Sequence, residues 1–207
     1  KFDVSYSDKI DYDKFGIVGL KLEPIDFEKN LSNISNIITW GYLSENEINY
    51  SDIDFNGINE YTIIKDSGGK RFIDNSLKIE VNVKINENSR GILISKYDYL
   101  NGKYIELGVN VEGTIRFDIS DSIESITLET TKKYNDRQFH NITVTLNNNI
   151  VFIYVDGKLE AQTNISELGD INNDAEITIG ANSGYLKWTK QTIDNFNGVI
   201  KYVKIYY

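Results

Sequence analysis

Few side chains in this 207-residue sequence can do covalent chemistry. There is no Cys, so thiol nucleophiles, disulfides and thiolate-bound zinc are excluded. His140 is the single His, which excludes His-rich metal sites. It opens a strand beside Phe139, where packing at a sheet edge is the expected role. No Gly-rich loop leads from a strand into a helix to cradle phosphate. Carboxylates remain. Asp52 and Asp54 lie two residues apart, so they share one face of a strand. A pair of acids can cleave a glycosidic bond when one donates a proton and the other attacks, but no third acid follows at a useful spacing. The same two residues are candidates for a structural calcium, because a hard cation wants several carboxylate and carbonyl oxygens. Nothing in the sequence requires a cofactor.

Binding chemistry is better represented. Aromatic rings stack on the C–H faces of sugars while polar neighbours take the hydroxyls. Tyr97, Tyr99 and Tyr104 cluster around one turn, and Tyr185 and Trp188 around another, all in polar surroundings. Loop residues carry function more often than core residues do. Arg116 lies on the outer face of a strand, with Tyr104 and Glu106 on the strand paired to it and Asp118 beside it. These six residues, Tyr97, Tyr99, Tyr104, Arg116, Tyr185 and Trp188, are the candidate ligand contacts.

Charge narrows the partner. The formal charge is −9, with 22 Lys and Arg against 31 Asp and Glu. Affinity for nucleic acid or anionic lipid rests on basic side chains, so neither is expected as a partner. A neutral, hydroxyl-rich sugar suits this balance better than a sialylated or sulfated one. No apolar run approaches the roughly 20 residues of a membrane-spanning helix, so no membrane insertion is expected. The sequence opens on Lys1 and not on Met, which leads to the expectation of a piece excised from a longer protein.

The elements that must position these residues are strands. The sequence holds 31 Ile and 24 Asn, with 14 Tyr and 9 Phe, and β-branched and aromatic residues favour strands. From Leu77 to Ile85 every odd residue is apolar and every even one polar, the pattern of a half-buried strand. Further strands are predicted at Gly91–Lys96, Tyr104–Asn110, Thr114–Ile119, Ser125–Thr131, Asn141–Leu146, Val151–Val155, Lys158–Thr163, Glu176–Gly180 and Gly198–Tyr206. Val151–Val155 is apolar on both faces and reads as a central strand. Turn signals fall between them at Asn101-Gly102, Glu112-Gly113, Asn147-Asn148-Asn149 and Asp156-Gly157. Ser51–Phe55 and Ile37–Leu43 read as earlier strands. Tyr202, Tyr206 and Tyr207 read as core or terminal packing. Many short antiparallel strands with clean alternation imply two packed sheets in a single all-β domain over 1–207.

Three segments resemble the concanavalin A-like, laminin G-like jelly roll of bacterial surface proteins and glycoside hydrolases. Ile53-Asp54-Phe55-Asn56-Gly57-Ile58-Asn59-Glu60-Tyr61 is similar to its "FDG…DY" entry. The stretch from Arg137-Gln138-Phe139-His140 through Ile153-Tyr154-Val155-Asp156-Gly157-Lys158 is similar to its "W-H-x-V-x-V-T … Y-V-D-G-K" hairpin, with Phe139 in the place of Trp. Ile177-Thr178-Ile179-Gly180, then Phe196-Asn197-Gly198 and Val203-Lys204-Ile205-Tyr206, resemble its closing strands. More narrowly, Asp3–Tyr12 and Asp136–Gly169 are similar to the lectin-like N-terminal half of the clostridial neurotoxin receptor-binding region. The resemblance implies an antiparallel jelly-roll sandwich. The Glu-x-Asp-x-x-Glu motif of its glucan-hydrolysing members does not occur, so no enzyme activity is expected. The expected function is a non-catalytic, lectin-like module of a secreted or surface bacterial protein, whose partner is a glycan or a host-surface receptor. The other reading is a structural spacer of a toxin or toxin-associated protein, packed on neighbouring domains and without a ligand.

Overall fold

The alternation from Leu77 to Ile85 forms a ten-residue strand at the heart of one sheet. The computed structural model describes residues 42–44, 47–64, 76–182 and 193–206. Every regular element among them is a strand, and none is a helix long and apolar enough to cross a membrane. The first sheet has seven strands in the order β1-β2-β13-β4-β9-β10-β11. These are β1 (Tyr42–Ser44), β2 (Glu47–Asn56), β13 (Asn197–Tyr206), β4 (Ser76–Ile85), β9 (Phe139–Asn147), β10 (Ile150–Val155) and β11 (Lys158–Asn164). The second has six, β3-β12-β5-β6-β7-β8. These are β3 (Thr62–Ile64), β12 (Ile177–Ile179), β5 (Gly91–Asp98), β6 (Lys103–Val109), β7 (Thr114–Asp121) and β8 (Ser125–Lys133). All pairings within the sheets are antiparallel. This is the two-sheet sandwich of a concanavalin A-like jelly roll.

The core lies between the sheets and is built from the alternating positions. Ile79, Val81, Val83, Val144, Leu146 and Ile153 are all buried on the seven-stranded side. Ile94, Ile105, Leu107, Ile115, Phe117, Ile119, Ile177 and Ile179 face them from the six-stranded side. Because the side-chain period is two, this choice of inward residues fixes which residues face outward.

The turns follow their sequence signals. Asp156 and Gly157 both have positive φ, 50° and 75°, as the tight hairpin between β10 and β11 requires. Asn148 and Asn149, at 48° and 61°, make the equivalent turn between β9 and β10.

Two expectations are corrected, and one feature has no signal in the pattern. Val151–Val155 is not central: β10 has only β11 beyond it, at the sheet edge. Its second apolar row, Phe152 and Tyr154, is half-buried on the outer surface, where the two rings lie 6.2 Å apart. Tyr202 and Tyr206 are likewise half-buried on that outer face, not in the core. Finally, the register slips between Ile92 and Ile94, and this bulge sends Lys96 inward, opposite Ile105. Lys96 is 1% exposed, and its Nζ donates to the Ala175 carbonyl at 2.5 Å. Of the early strand expected over 37–43, only its end lies within the described residues, in β1; Asp3–Tyr12 lies outside them.

Candidate binding face on the six-stranded sheet

The outward positions of the six-stranded sheet are polar throughout its middle. Register places Ser95 opposite Glu106, Glu106 opposite Asp118, and Asp118 opposite Thr127, one row across four strands. The next row holds Tyr97, Tyr104, Ser120 and Ser125. On the other side, Arg116 stands opposite Gly108 and Glu129. The expected grouping of Tyr104, Glu106, Arg116 and Asp118 on one face is therefore present, and β5 adds Tyr97 to it.

The rings are organised by strand pairing. Tyr97 and Tyr104 are direct cross-strand neighbours, and their rings stack with centroids 4.9 Å apart and planes 3° from parallel. Both are half-buried. Tyr99 sits in the turn that follows and is 48% exposed. That turn is pinned by Asp98, whose carboxylate accepts hydrogen bonds from the backbone N–H groups of Leu100 and Asn101. Tyr99 thus stands in the turn that joins the two strands of the stacked pair.

The charged groups form a connected set. Arg116 Nε donates to Asp118 Oδ2 at 2.7 Å, and Thr127 Oγ1 donates to Asp118 Oδ1 at 2.5 Å. Glu129 accepts from Thr114 Oγ1 and Asn110 Nδ2. Glu106 accepts from Ser95 Oγ at 2.8 Å and from Asn182 Nδ2 at 2.6 Å. Glu106 and Asp118 are 9% and 6% exposed, so this face is not simply a wetted surface. The bond to Asp118, and the nearby charges of Glu106 and Glu129, hold the Arg116 guanidinium above its usual range. Burial pushes the Glu106 carboxyl up to about 7, and the charges of Asp118 and Asp194 push the same way.

Other candidates fall elsewhere. Tyr185 and Trp188 lie outside the described residues. So does the side chain of Asp52, while Asp54 is exposed on β2. Among the described residues no three His, Asp or Glu side chains converge as a metal site. His140, expected at a sheet edge, is instead held at the start of β9, an inner strand of the other sheet between β4 and β10, its Nδ1 2.8 Å from Asp156 and its Nε2 3.1 Å from Asp136. Burial lowers its pKa, the two carboxylates outweigh this, and the net direction is upward. Its ring meets Tyr134 edge-on at 5.1 Å. The arrangement joins the Asp156-Gly157 turn to β9 and is structural.

Sequence reasoning missed the rings on the opposite surface. The outer face of the seven-stranded sheet carries Phe139, Phe152, Tyr154, Tyr202 and Tyr206. Lys84 and Lys201 lie 5.4 and 5.9 Å from the Phe139 ring centre, and Lys78 lies 5.2 Å from that of Tyr206. Surface rings are thus not confined to loops. The missed signal was the period-two spacing of Phe152 with Tyr154, and of Lys204 with Tyr206 and Tyr202, on strands whose other face is core.

The family model of the concanavalin A-like lectin/glucanases superfamily, laminin G type, matches residues 56–207. The chain belongs to this superfamily. Solved structures share the fold at low identity. Domains LG4-5 of the mouse laminin alpha1 chain align with a TM-score of 0.61 and 15% identity, over 81% of this chain and 42% of theirs. The CBM40 of a Ruminococcus gnavus IT-sialidase gives 0.59 and 16%, over 76% and 90%; related structures of that CBM40 are bound to sialyllactose. The receptor binding domain of botulinum neurotoxin D gives 0.56 and 14%, over 78% and 40%. The chain thus spans less than half of the laminin and neurotoxin chains. No curated protein matches at the sequence level.

Proposed function

We propose that this superfamily member is a non-catalytic, lectin-like domain of a secreted or cell-surface bacterial protein, binding a neutral, hydroxyl-rich glycan on the polar face of the six-stranded sheet. The stacked Tyr97–Tyr104 pair beside the Arg116–Asp118 ion pair carries this reading. Rings give the apolar contact a pyranose needs, and carboxylates accept its hydroxyl protons. Membership of a superfamily of lectins and glucanases supports it. Catalysis is disfavoured because Asp118 has both oxygens engaged, by Arg116 and Thr127. A nucleophile needs a free oxygen aimed at the sugar.

Neutral sugar is preferred over sialic acid for an electrostatic reason. One guanidinium, Arg116, sits among Asp118, Glu106 and Glu129. A ligand carboxylate would meet acceptors where it needs donors. Tyr99 extends the site from the adjoining turn in this proposal, and Tyr185 and Trp188 are its further candidate contacts. The whole 1–207 segment acts as one module of a larger protein.

A glycan array of neutral and sialylated sugars tests the proposal with the wild type and Tyr104→Ala. Affinity is expected on the order of 0.1–1 mM for a single site, so a multivalent display is needed. Binding to neutral glycans, lost in Tyr104→Ala, supports the proposal. No binding across a broad array, or preference for sialylated ligands, overturns it.

A further inference from the structure

The two oxygens of Glu106 are treated differently. Ser95 Oγ and Asn182 Nδ2 both donate to Oε1. Among the described residues no group donates to Oε2. Glu106 itself stands on the outward row of the sheet, opposite Ser95 and Asp118. Oε2 is therefore the oxygen of Glu106 that the described residues leave without a donor.

The neighbours decide what that atom carries. Asp118 stands directly across from β7, and Asp194 acts on Glu106 from the segment before β13. On β5 the facing groups are Ser95 and Tyr97, neither an anion at neutral pH, and Tyr104 lies two residues back on β6. Among the described residues the cation acting on Glu106 is Arg116, which is bonded to Asp118 and also near Glu129 of β8. An ionised Glu106 would be a buried anion beside two others with its counter-ion shared. The neutral acid avoids that cost. With Oε1 already accepting twice, the proton belongs on Oε2 and points outward.

We propose that Glu106 is the specificity-determining residue of this face: as a neutral acid it donates an O–H from Oε2 to an uncharged acceptor oxygen of the ligand, selecting sugars that carry a carbonyl, the N-acetylamino sugars. The proposal rests on the glycan-binding reading above. A face made of carboxylates has many acceptors for hydroxyl protons, and an outward donor is its scarce group. The amide carbonyl is the strongest uncharged acceptor a neutral sugar offers.

Two measurements test it separately. The first needs no ligand: the carboxyl carbon of Glu106 is titrated by NMR. A midpoint near 7 is expected; an ordinary carboxyl midpoint near 4.3 overturns the proposal. The second compares N-acetyllactosamine with lactose at pH 6 and pH 8.5, for wild type and Glu106→Gln. The wild type should prefer N-acetyllactosamine at pH 6 and lose roughly three- to tenfold in affinity for it at pH 8.5, the worth of one hydrogen bond. Glu106→Gln keeps an outward N–H and the Oε1 acceptor, so it should retain the preference without the pH dependence. Equal binding of the two sugars, or a Gln variant that melts normally yet binds neither, refutes the selection. If the wild type binds no sugar at all, the glycan reading fails and the selection with it, and the titration alone still decides whether Glu106 is held as the neutral acid.

Discussion

Gly180 and Gly157 both have φ in the left-handed region, 86° and 75°, but their surroundings are opposite. A Cβ at Gly157 would meet nothing within 4 Å. A Cβ at Gly180 would stand 2.2 Å from Cε1 and 2.4 Å from Cδ1 of Phe55. Phe55 is 2% exposed and packs edge-on against Phe196 at 6.1 Å, so its ring has nowhere to retreat. Gly157→Ala should therefore pay only the backbone term, about 1–2 kcal/mol. Gly180→Ala carries the same term plus overpacking of about 1–3 kcal/mol, giving about 2–5 kcal/mol in all. For a chain of this length each kcal/mol moves the melting temperature by about 2–4 °C. Urea denaturation and thermal melts of the two variants, read against wild type, measure the difference directly. Equal destabilisation would refute the reasoning, because it would mean that Phe55 and Phe196 yield without resistance and the sheets are not closely packed at that end.

Other expectations follow from the same structure. Ile153 is fully buried between Val144 and Ala161 on the flanking strands; Ile153→Ala should cost about 2–4 kcal/mol by leaving a cavity, measured as a shift of the urea midpoint at constant slope. His140 has a raised pKa, while Asp136 and Asp156 are lowered, by their mutual bonds and by backbone donors. The His term stabilises below the unfolded His pKa and fades as pH rises through the folded one; the Asp terms fade as pH falls through theirs. His140→Asn should therefore lose most relative stability between about pH 4 and 6.5 and least above pH 8, and a flat difference across that range would contradict the ion-pair reading. Phe139→Ala, on the opposite sheet, should leave glycan binding unchanged, whereas Trp188→Ala should abolish it with little effect on the melting temperature; both are read by the same array.

The strands were legible because inward and outward residues differ so sharply: Ile79, Val81 and Val83 against Lys78, Glu80 and Asn82 admit one register. The Asp156-Gly157 turn was legible because few other dipeptides tolerate two positive φ values. What failed was of another kind. The bulge at Ile92–Ile94 turns Lys96 into the core, and no local pattern announces a single extra residue. Phe152 and Tyr154 misled because an apolar row on a sheet surface looks in sequence like a buried one. The polar face itself was half legible. Tyr104, Glu106, Arg116 and Asp118 could be placed together by alternation, since hairpin pairing is local. Asn182, which completes the bonding of Glu106, is 76 positions away and comes from the far side of the sheet order, so only the folded topology brings it there.

The central claim is that sugar binds the polar face of the six-stranded sheet. Its most direct test is a two-dimensional NMR titration of the labelled chain with the best neutral glycan from the array. The account predicts shifts concentrated on Tyr97, Tyr104, Glu106, Arg116 and Asp118, with the Phe139 and Tyr202 surface unmoved. Shifts centred on Phe139, Tyr202 and Lys84 instead would place the site on the wrong sheet and contradict it.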